Sequence, residues 1–322
     1  MNEPTSIIQT NNLTRRFGAV TAVDGLSLTM ERGEIFGLVG PDGAGKTTIL
    51  RMLAAIMDPS EGRATVAGFD TAKQAESIKR RIGYMAQQFN LYGDLSVQEN
   101  LDFYADIFGV RGRERHERTK RLLRFARLTD FTERRAANLS GGMKKKLALA
   151  CALIHQPDIL FLDEPTTGVD PISRREFWDI LSELHIDGVS ILVSTPYMDE
   201  AERCSRVAMM YRGRLIVCDT PDRIKRLVHG DLVELRPMVA DPAMPSGIGL
   251  LRRVEAITAG LAGVLEVQTY GDLVHIFVDD AAKRMPQIEA VLAAHLIQSI
   301  GLRRAPARME EAFMSLIRGQ EV

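Results

Sequence analysis

The sequence predicts an α/β fold, a parallel sheet covered by helices on both faces, joined to a small α+β domain. Three observations carry that expectation. First, the apolar run Glu34–Val39 ends at Gly40 and passes through a glycine-rich turn into Thr47–Met57. There Ile49, Leu50, Leu53, Ala54 and Met57 recur at the spacing of a buried helix face. Second, the apolar run Ile159–Asp163 is followed by a helix face of Phe177, Ile180, Leu181 and Leu184 and then by the strand Ser190–Ser194. Strands alternating with helices are the pattern of a parallel sheet. Third, the texture changes from about Pro221, where a helix at Asp222–His229 and a strand at Leu232–Leu235 precede the linker-like Asp241–Gly247.

Taken in order, Ser6–Thr10 and Gly25–Met30 read as short strands before Glu34–Val39. Beyond Gly83 the pattern turns helical, with helices expected at Val97–Phe108 and Glu114–Leu128. After the linker, the chain reads as helix, hairpin around Gly271-Asp272, helix, strand and helix. A length of 322 residues suits one large domain and a smaller one, expected at 1–228 and 229–322, with a helical part of the first at about 88–155.

Composition narrows the function. At 45% apolar and 26% charged residues, disorder and a disulfide scaffold are both excluded as expectations. Lys and Arg total 41 against 42 for Asp and Glu, so no global charge draws the chain to nucleic acid, and no nucleic-acid partner is expected. The basic stretch Arg111–Arg127 is interleaved with Leu122, Leu123 and Phe125 and diluted by Glu114 and Glu117, which reads as an amphipathic helix with a solvated face. Cys151, Cys204 and Cys218 are too widely spaced for a metal knuckle and suit reduced thiols; the six histidines are equally scattered. Met1–Ser6 shows no basic region followed by an apolar one, and no stretch approaches the roughly 18 apolar residues of a membrane span, so a cytoplasmic location is expected.

Gly40-Pro41-Asp42-Gly43-Ala44-Gly45-Lys46-Thr47 fits G-x-x-x-x-G-K-[ST], between a strand and a helix as that motif requires. Glycines let successive backbone N–H groups turn inward around phosphate oxygens, and the helix start adds its positive dipole end. Lys46 is expected on the β- and γ-phosphates and the Thr47 hydroxyl on Mg²⁺, with Thr48 continuing the phosphate-binding turn. The strand Ile159–Leu162 delivers Asp163 to the carboxyl edge of the sheet as a second metal-holding group. Glu164 follows, placed to polarise the attacking water as general base.

Leu139-Ser140-Gly141-Gly142 lies upstream of Asp163-Glu164, and with it the sequence resembles the ATP-binding cassette (ABC) ATPases over roughly residues 6–228. The resemblance implies a P-loop NTPase fold: a RecA-like parallel core, an antiparallel β subdomain and an α-helical signature subdomain. It implies ATP and Mg²⁺ as ligands and a head-to-tail dimer in which Ser140, Gly141 and Gly142 of one cassette close over the ATP of the other. Phe17 resembles the aromatic that stacks on adenine, although a core phenylalanine is an equal reading of that residue. Gln87 matches the glutamine that touches Mg²⁺ and the attacking water, with Gln88 a near alternative, and Asp170 matches the loop coupling the two sites. Together with Leu91–Asn100 and Asp163–Pro171, these motifs are similar to cassettes of type-2 ABC exporters, the branch that includes drug-resistance ATPases. Such a chain powers export through separate integral-membrane permease subunits, touched near Gln87 and Val97–Leu128, and sits on the inner face of the membrane.

Two departures stand out. Met143 replaces the glutamine that many members carry after the signature glycines, and Pro196 stands where the family has a histidine on the γ-phosphate. Proline offers no donor. An active but slower site is preferred over a degenerate site beside an intact partner, or a binding switch, because Lys46, Thr47, Asp163 and Glu164 are all present. A non-transport ABC ATPase is the main rival, yet only one cassette is present and the interval from Lys46 to Asp163 lacks sustained heptads. A P-loop kinase leaves Leu139–Gly142 unexplained.

Overall fold

The computed structural model describes residues 6–88, 91–239 and 246–321. Met1–Thr5 and most of the expected linker, residues 241–245, lie outside them. The chain divides into two compact units, Met1–Pro221 and Asp222–Val322. The division falls ahead of the expected 228 because the sheet of the first unit ends with the strand Arg214–Asp219, and the following helix spans only Pro221–Lys225.

The core of the first unit is a six-stranded sheet in the spatial order Arg214–Asp219, Arg206–Tyr211, Ile35–Val39, Ser190–Thr195, Ile159–Asp163, Ile82–Met85. All neighbours are parallel except the antiparallel edge strand Arg214–Asp219. Every residue of Ile35–Val39 and Ile159–Asp163 is buried, the continuous apolar run that a sheet covered on both faces demands. Phe36, Leu38, Phe161 and Leu192 anchor this core, each such side chain contributing roughly 1.5–3 kcal/mol on leaving water. Register sets which residues lie side by side at the carboxyl edge: Asp163 pairs with Ser194, and Val39, immediately before Gly40, pairs with Thr195. The ends of three strands therefore meet there.

A second, antiparallel sheet of Val20–Leu26, Ser6–Phe17, Glu61–Val66 and Phe69–Asp70, with Thr29–Glu31 on Ser6–Phe17, packs into the same core. The expected strand Gly25–Met30 is split between Val20–Leu26 and Thr29–Glu31. Between Ile82–Met85 and Ile159–Asp163 the chain forms the helices Val97–Ile107, Gly112–Phe125 and Gly141–Leu153 around Val97, Leu101, Leu123 and Leu147. The basic run is engaged with acids: Arg115 with Asp102 and Asp106 at 2.7 Å, Arg118 with Glu114, and Arg121 with Asp187 at 3.0 Å. Cys151 and Cys204 are buried and Cys218 half-buried, all as free thiols. No helix among the described residues is long and apolar enough to cross a membrane.

The second unit is a four-stranded antiparallel sheet ordered Val264–Tyr270, Leu273–Val278, Asp231–Val239, Ile297–Ala305. Val274, Ile276 and Val278 alternate with His275 and Phe277, so the sheet has two different faces. The first packs against Ile248–Thr258 and Ala281–Ala294 through Leu251, Val254, Ile288 and Leu292. From the helix Met309–Glu321, Glu311 reaches His275 on the other.

Candidate active site

The glycine loop leaves Ile35–Val39 and enters the helix Lys46–Leu53 with Gly45 at its start, φ +96°. A β-carbon at Gly45 would lie 2.4 Å from the Ala22 carbonyl oxygen, so backbone conformation and space both require glycine. Gly40 N–H donates to the Thr195 carbonyl at 3.3 Å, which pins the loop to the neighbouring strand. Asp42 and Gly43 are exposed at the mouth, Pro41, Thr47 and Thr48 are half-buried, and Ala44 is buried.

Lys46 is buried at the base. Its Nζ donates to the carbonyls of Gly40 at 2.9 Å and Pro41 at 3.0 Å and lies 3.2 Å from Glu164 Oε1. Thr47 Oγ1 donates to Asp163 Oδ1 at 3.0 Å, which also accepts from Ser194 Oγ at 2.8 Å. Gln87 Nε2 donates to Glu164 Oε2 at 2.8 Å, and Thr167 Oγ1 reaches the same oxygen at 3.4 Å. It is thus Gln87 that meets Glu164. Glu164 itself holds a left-handed backbone, φ +47°, secured by its N–H on the Ser194 carbonyl at 3.2 Å and Ser194 Oγ at 3.0 Å. Five residues spread from 46 to 164 gather in two bonded sets, Lys46–Glu164–Gln87 and Thr47–Asp163, which Ser194 joins: an ammonium, a hydroxyl, two carboxylates and a carboxamide. The Thr47 hydroxyl beside the Asp163 carboxylate is the hard-oxygen donor set that Mg²⁺ takes.

Phe17 is 44% exposed with the Arg15 guanidinium 4.7 Å over its ring, which removes the core-phenylalanine reading. It pairs with Val20, and the strand Val20–Leu26 abuts Gly45 through Ala22. Ser140 and Asp170 are bonded at helix starts. Ser140 caps Gly141–Leu153 by accepting from Met143 N–H at 3.3 Å, and Asp170 caps Pro171–Ile186 by accepting from Ser173 N–H at 2.9 Å. That hydrogen bond from the Ser173 backbone holds the Asp170 carboxyl below the usual range. A β-carbon at Gly142 would come within 2.5 Å of Ser173 Oγ, so the two caps approach closely only because this residue is glycine. Among the bonds of the described residues, Ser140 and Asp170 join neither Lys46 nor Glu164.

A profile of the ABC transporter family matches residues 23–167. The daunorubicin resistance ATP-binding protein DrrA2 of Streptomyces coeruleorubidus is 36% identical over 313 residues, 96% of this chain and 94% of that one. The chain belongs to the ABC transporter ATP-binding proteins. Like them it binds ATP. The protein named "Probable multidrug ABC transporter ATP-binding protein YbhF", of Escherichia coli K12, is 44% identical over 220 residues, 68% of this chain but 38% of YbhF; the chain spans well under two thirds of that relative. A dimeric post-hydrolysis structure of an ATP-binding cassette bound to ADP and Pi matches the fold with a TM-score of 0.60 at 26% identity, over 66% of this chain and 98% of that one.

Sequence reasoning missed part of this cassette's site. Lys145, buried in the signature helix, donates from Nζ to the Gln87 carbonyl at 3.2 Å; burial pulls its ammonium below the ordinary lysine range, although Glu164 and Asp163 oppose the shift. Ser194, Thr195, Thr166, Arg174 and Glu200 also converge here. A serine–threonine pair closing an apolar strand was the one legible signal.

Proposed function

We propose that this chain is the ATP-hydrolysing subunit of an exporter, dimerising head to tail to drive a drug-like or lipophilic compound through separate membrane permease subunits on whose cytoplasmic side it rests. The observation that carries hydrolysis is the Glu164 carboxylate, held between Gln87 Nε2 and Lys46 Nζ beside the Thr47–Asp163 pair. When a phosphate enters the glycine loop, Lys46 exchanges its loop carbonyls for phosphate oxygens, which frees Glu164 from its ion pair. Glu164 then accepts a proton from water oriented with Gln87, as a general base does. Thr47, Asp163 and Gln87 would hold Mg²⁺, which would neutralise charge on the phosphate oxygens. Loop N–H groups and the start of Lys46–Leu53 stabilise the same charge. Phe17, exposed on the hairpin beside the loop, is the surface on which adenine stacks. Ser140, Gly141, Gly142 and Asp170 complete the partner's site across the dimer. Pro196 offers no donor to the phosphate, which agrees with an active but slower site.

Export is supported by likeness to a drug-resistance relative along nearly the whole length, including the second unit. The test is retention of an integral-membrane protein by the tagged chain, followed by ATP-dependent movement of a lipophilic dye in vesicles holding both. Retention on ribosomes or DNA, with no membrane partner and no dye movement, would overturn the exporter reading.

A further inference from the structure

Glu200 is 1% exposed and stands among three donors: Thr195 Oγ1 at 2.6 Å, Thr166 Oγ1 at 2.6 Å and Arg174 Nε at 2.7 Å. A carboxylate removed from water is costly unless fully hydrogen-bonded, and a network of this kind is weak evidence for stability alone. Its significance lies in what the donors are attached to. Thr195 follows Ser194, whose carbonyl and hydroxyl both hold the Glu164 N–H. Thr166 stands two residues beyond Glu164 on the other side. The left-handed backbone at Glu164 is strained for a residue with a side chain and persists only where its surroundings over-determine it. Glu200 bonds both flanks.

The third donor reaches further. Arg174 lies in the first turn of Pro171–Ile186, the helix that Asp170 caps. Its guanidinium is fixed three ways: on Glu200, on Asp199 Oδ1 at 2.6 Å, and 4.3 Å over the Tyr197 ring. Tyr197 N–H in turn donates to Thr195 Oγ1 at 3.1 Å. The segment 195–200, which includes Pro196, is thereby bound to the Asp170 helix and to the strand end that holds Glu164.

We propose that Glu200, clamped by Arg174, is a positioning residue for Glu164: it fixes Ser194–Thr195 and Thr166, and so aims the Glu164 carboxylate, and it ties that aim to the Asp170 helix. The inference rests on the ATPase reading of the site. Glu200 touches neither Lys46 nor Thr47, so nucleotide binding is spared while the chemical step suffers.

The test is steady-state MgATP hydrolysis by the full chain together with equilibrium binding of a fluorescent ATP analogue and thermal melting, for Glu200→Gln, Arg174→Met and Arg174→Lys. Glu200→Gln is expected to lower kcat roughly 10–100-fold, the scale of a misplacement near 1 Å, with KM and analogue affinity within about twofold. Arg174→Met follows it, and Arg174→Lys recovers part of the loss. Thr166→Val against Thr166→Ser asks the same question with one hydrogen bond, should Glu200→Gln fail to fold. Unchanged kcat, or parallel losses of kcat, affinity and melting temperature, overturns the positioning role while leaving the ATPase reading intact. Absence of turnover in the unsubstituted chain overturns both.

Discussion

At the carboxyl edge of the first unit's sheet, Lys46, Asp163 and Glu164 are buried beside a glycine loop; in the second unit, His275 is buried beside Glu234 and Glu311. Both clusters unite charged groups far apart in sequence, yet they differ in what encloses them. Lys46 spends two hydrogen bonds on carbonyls of its own loop, whose mouth at Asp42 and Gly43 is exposed, so a phosphate can take those places. His275 is closed in: Nδ1 lies 3.0 Å from Glu311 Oε1, Nε2 3.3 Å from Glu234 Oε2, and Tyr270 stacks on its ring at 5.5 Å. Arg303 donates to Glu234 Oε1 at 2.8 Å, and Arg308 covers Tyr270 at 5.2 Å. Burying charge does not by itself make a site; exchangeable partners facing an opening do.

The sharpest way to break this contrast is Glu164→Gln, expected to lower kcat by roughly 10²–10⁴-fold while ATP still binds, since the amide keeps the shape and loses the base. Near-normal turnover in an ATPase assay would remove Glu164 from the chemistry. Gly142→Ala should come next, costing about 1–3 kcal/mol in denaturant unfolding, because the added β-carbon meets Ser173 Oγ at 2.5 Å. A neutral result would mean that the Ser140 and Asp170 caps are not so closely packed. Phe17→Ala should weaken ATP binding by about 1–3 kcal/mol, on the scale of base–aromatic stacking, without changing stability, because the ring is already exposed. Calorimetric titration beside a melting curve separates the two quantities.

The smallest effect concerns the closed cluster. Hydrogen bonding from Arg303 holds the Glu234 carboxyl below its ordinary 4.5. In Glu311, burial pushes upward, but the His275 hydrogen bond and the Arg308 backbone N–H prevail and hold it low as well. Carboxyls with folded values below their unfolded ones stabilise the fold above the unfolded value, and that contribution is lost as pH falls through the folded one. Protection of Asp231–Val239 from hydrogen exchange, corrected for intrinsic rate, should therefore decline below about pH 4.5. Arg303→Met should flatten that decline and leave ATPase at neutral pH unchanged. Equal acid sensitivity in both proteins would detach Glu234 from it.

Where the sequence misled, the cause was tertiary. The helix expected to reach Met57 stops at Leu53: Ala55 turns left-handed at φ +53°, and the N–H groups of Ile56 and Met57 both return to the Arg51 carbonyl. Alanine is a strong helix former, so propensity gives no warning. Ile82–Met85 has only four residues with Gly83 among them, too short a run to stand out as a strand; pairing with Ile159–Leu162 makes it one. The expected strand Leu232–Leu235 runs on through Pro237 to Val239, because Ile297–Ala305 continues to pair with it after the pairing with Leu273–Val278 ends at Leu235.

By itself the sequence determined the phosphate loop and the carboxylate strand, because a glycine turn, a helix start and an apolar strand each depend on contiguous residues. Only the tertiary structure decided that Gln87 meets Glu164, that Lys145 reaches Gln87, and that Glu200 gathers Thr166, Arg174 and Thr195. Those contacts depend on strand register, Asp163 beside Ser194 and Val39 beside Thr195, which no local pattern encodes. Register is set by burying whole strands on both faces at once, and it carries side chains from distant segments to one edge of the sheet.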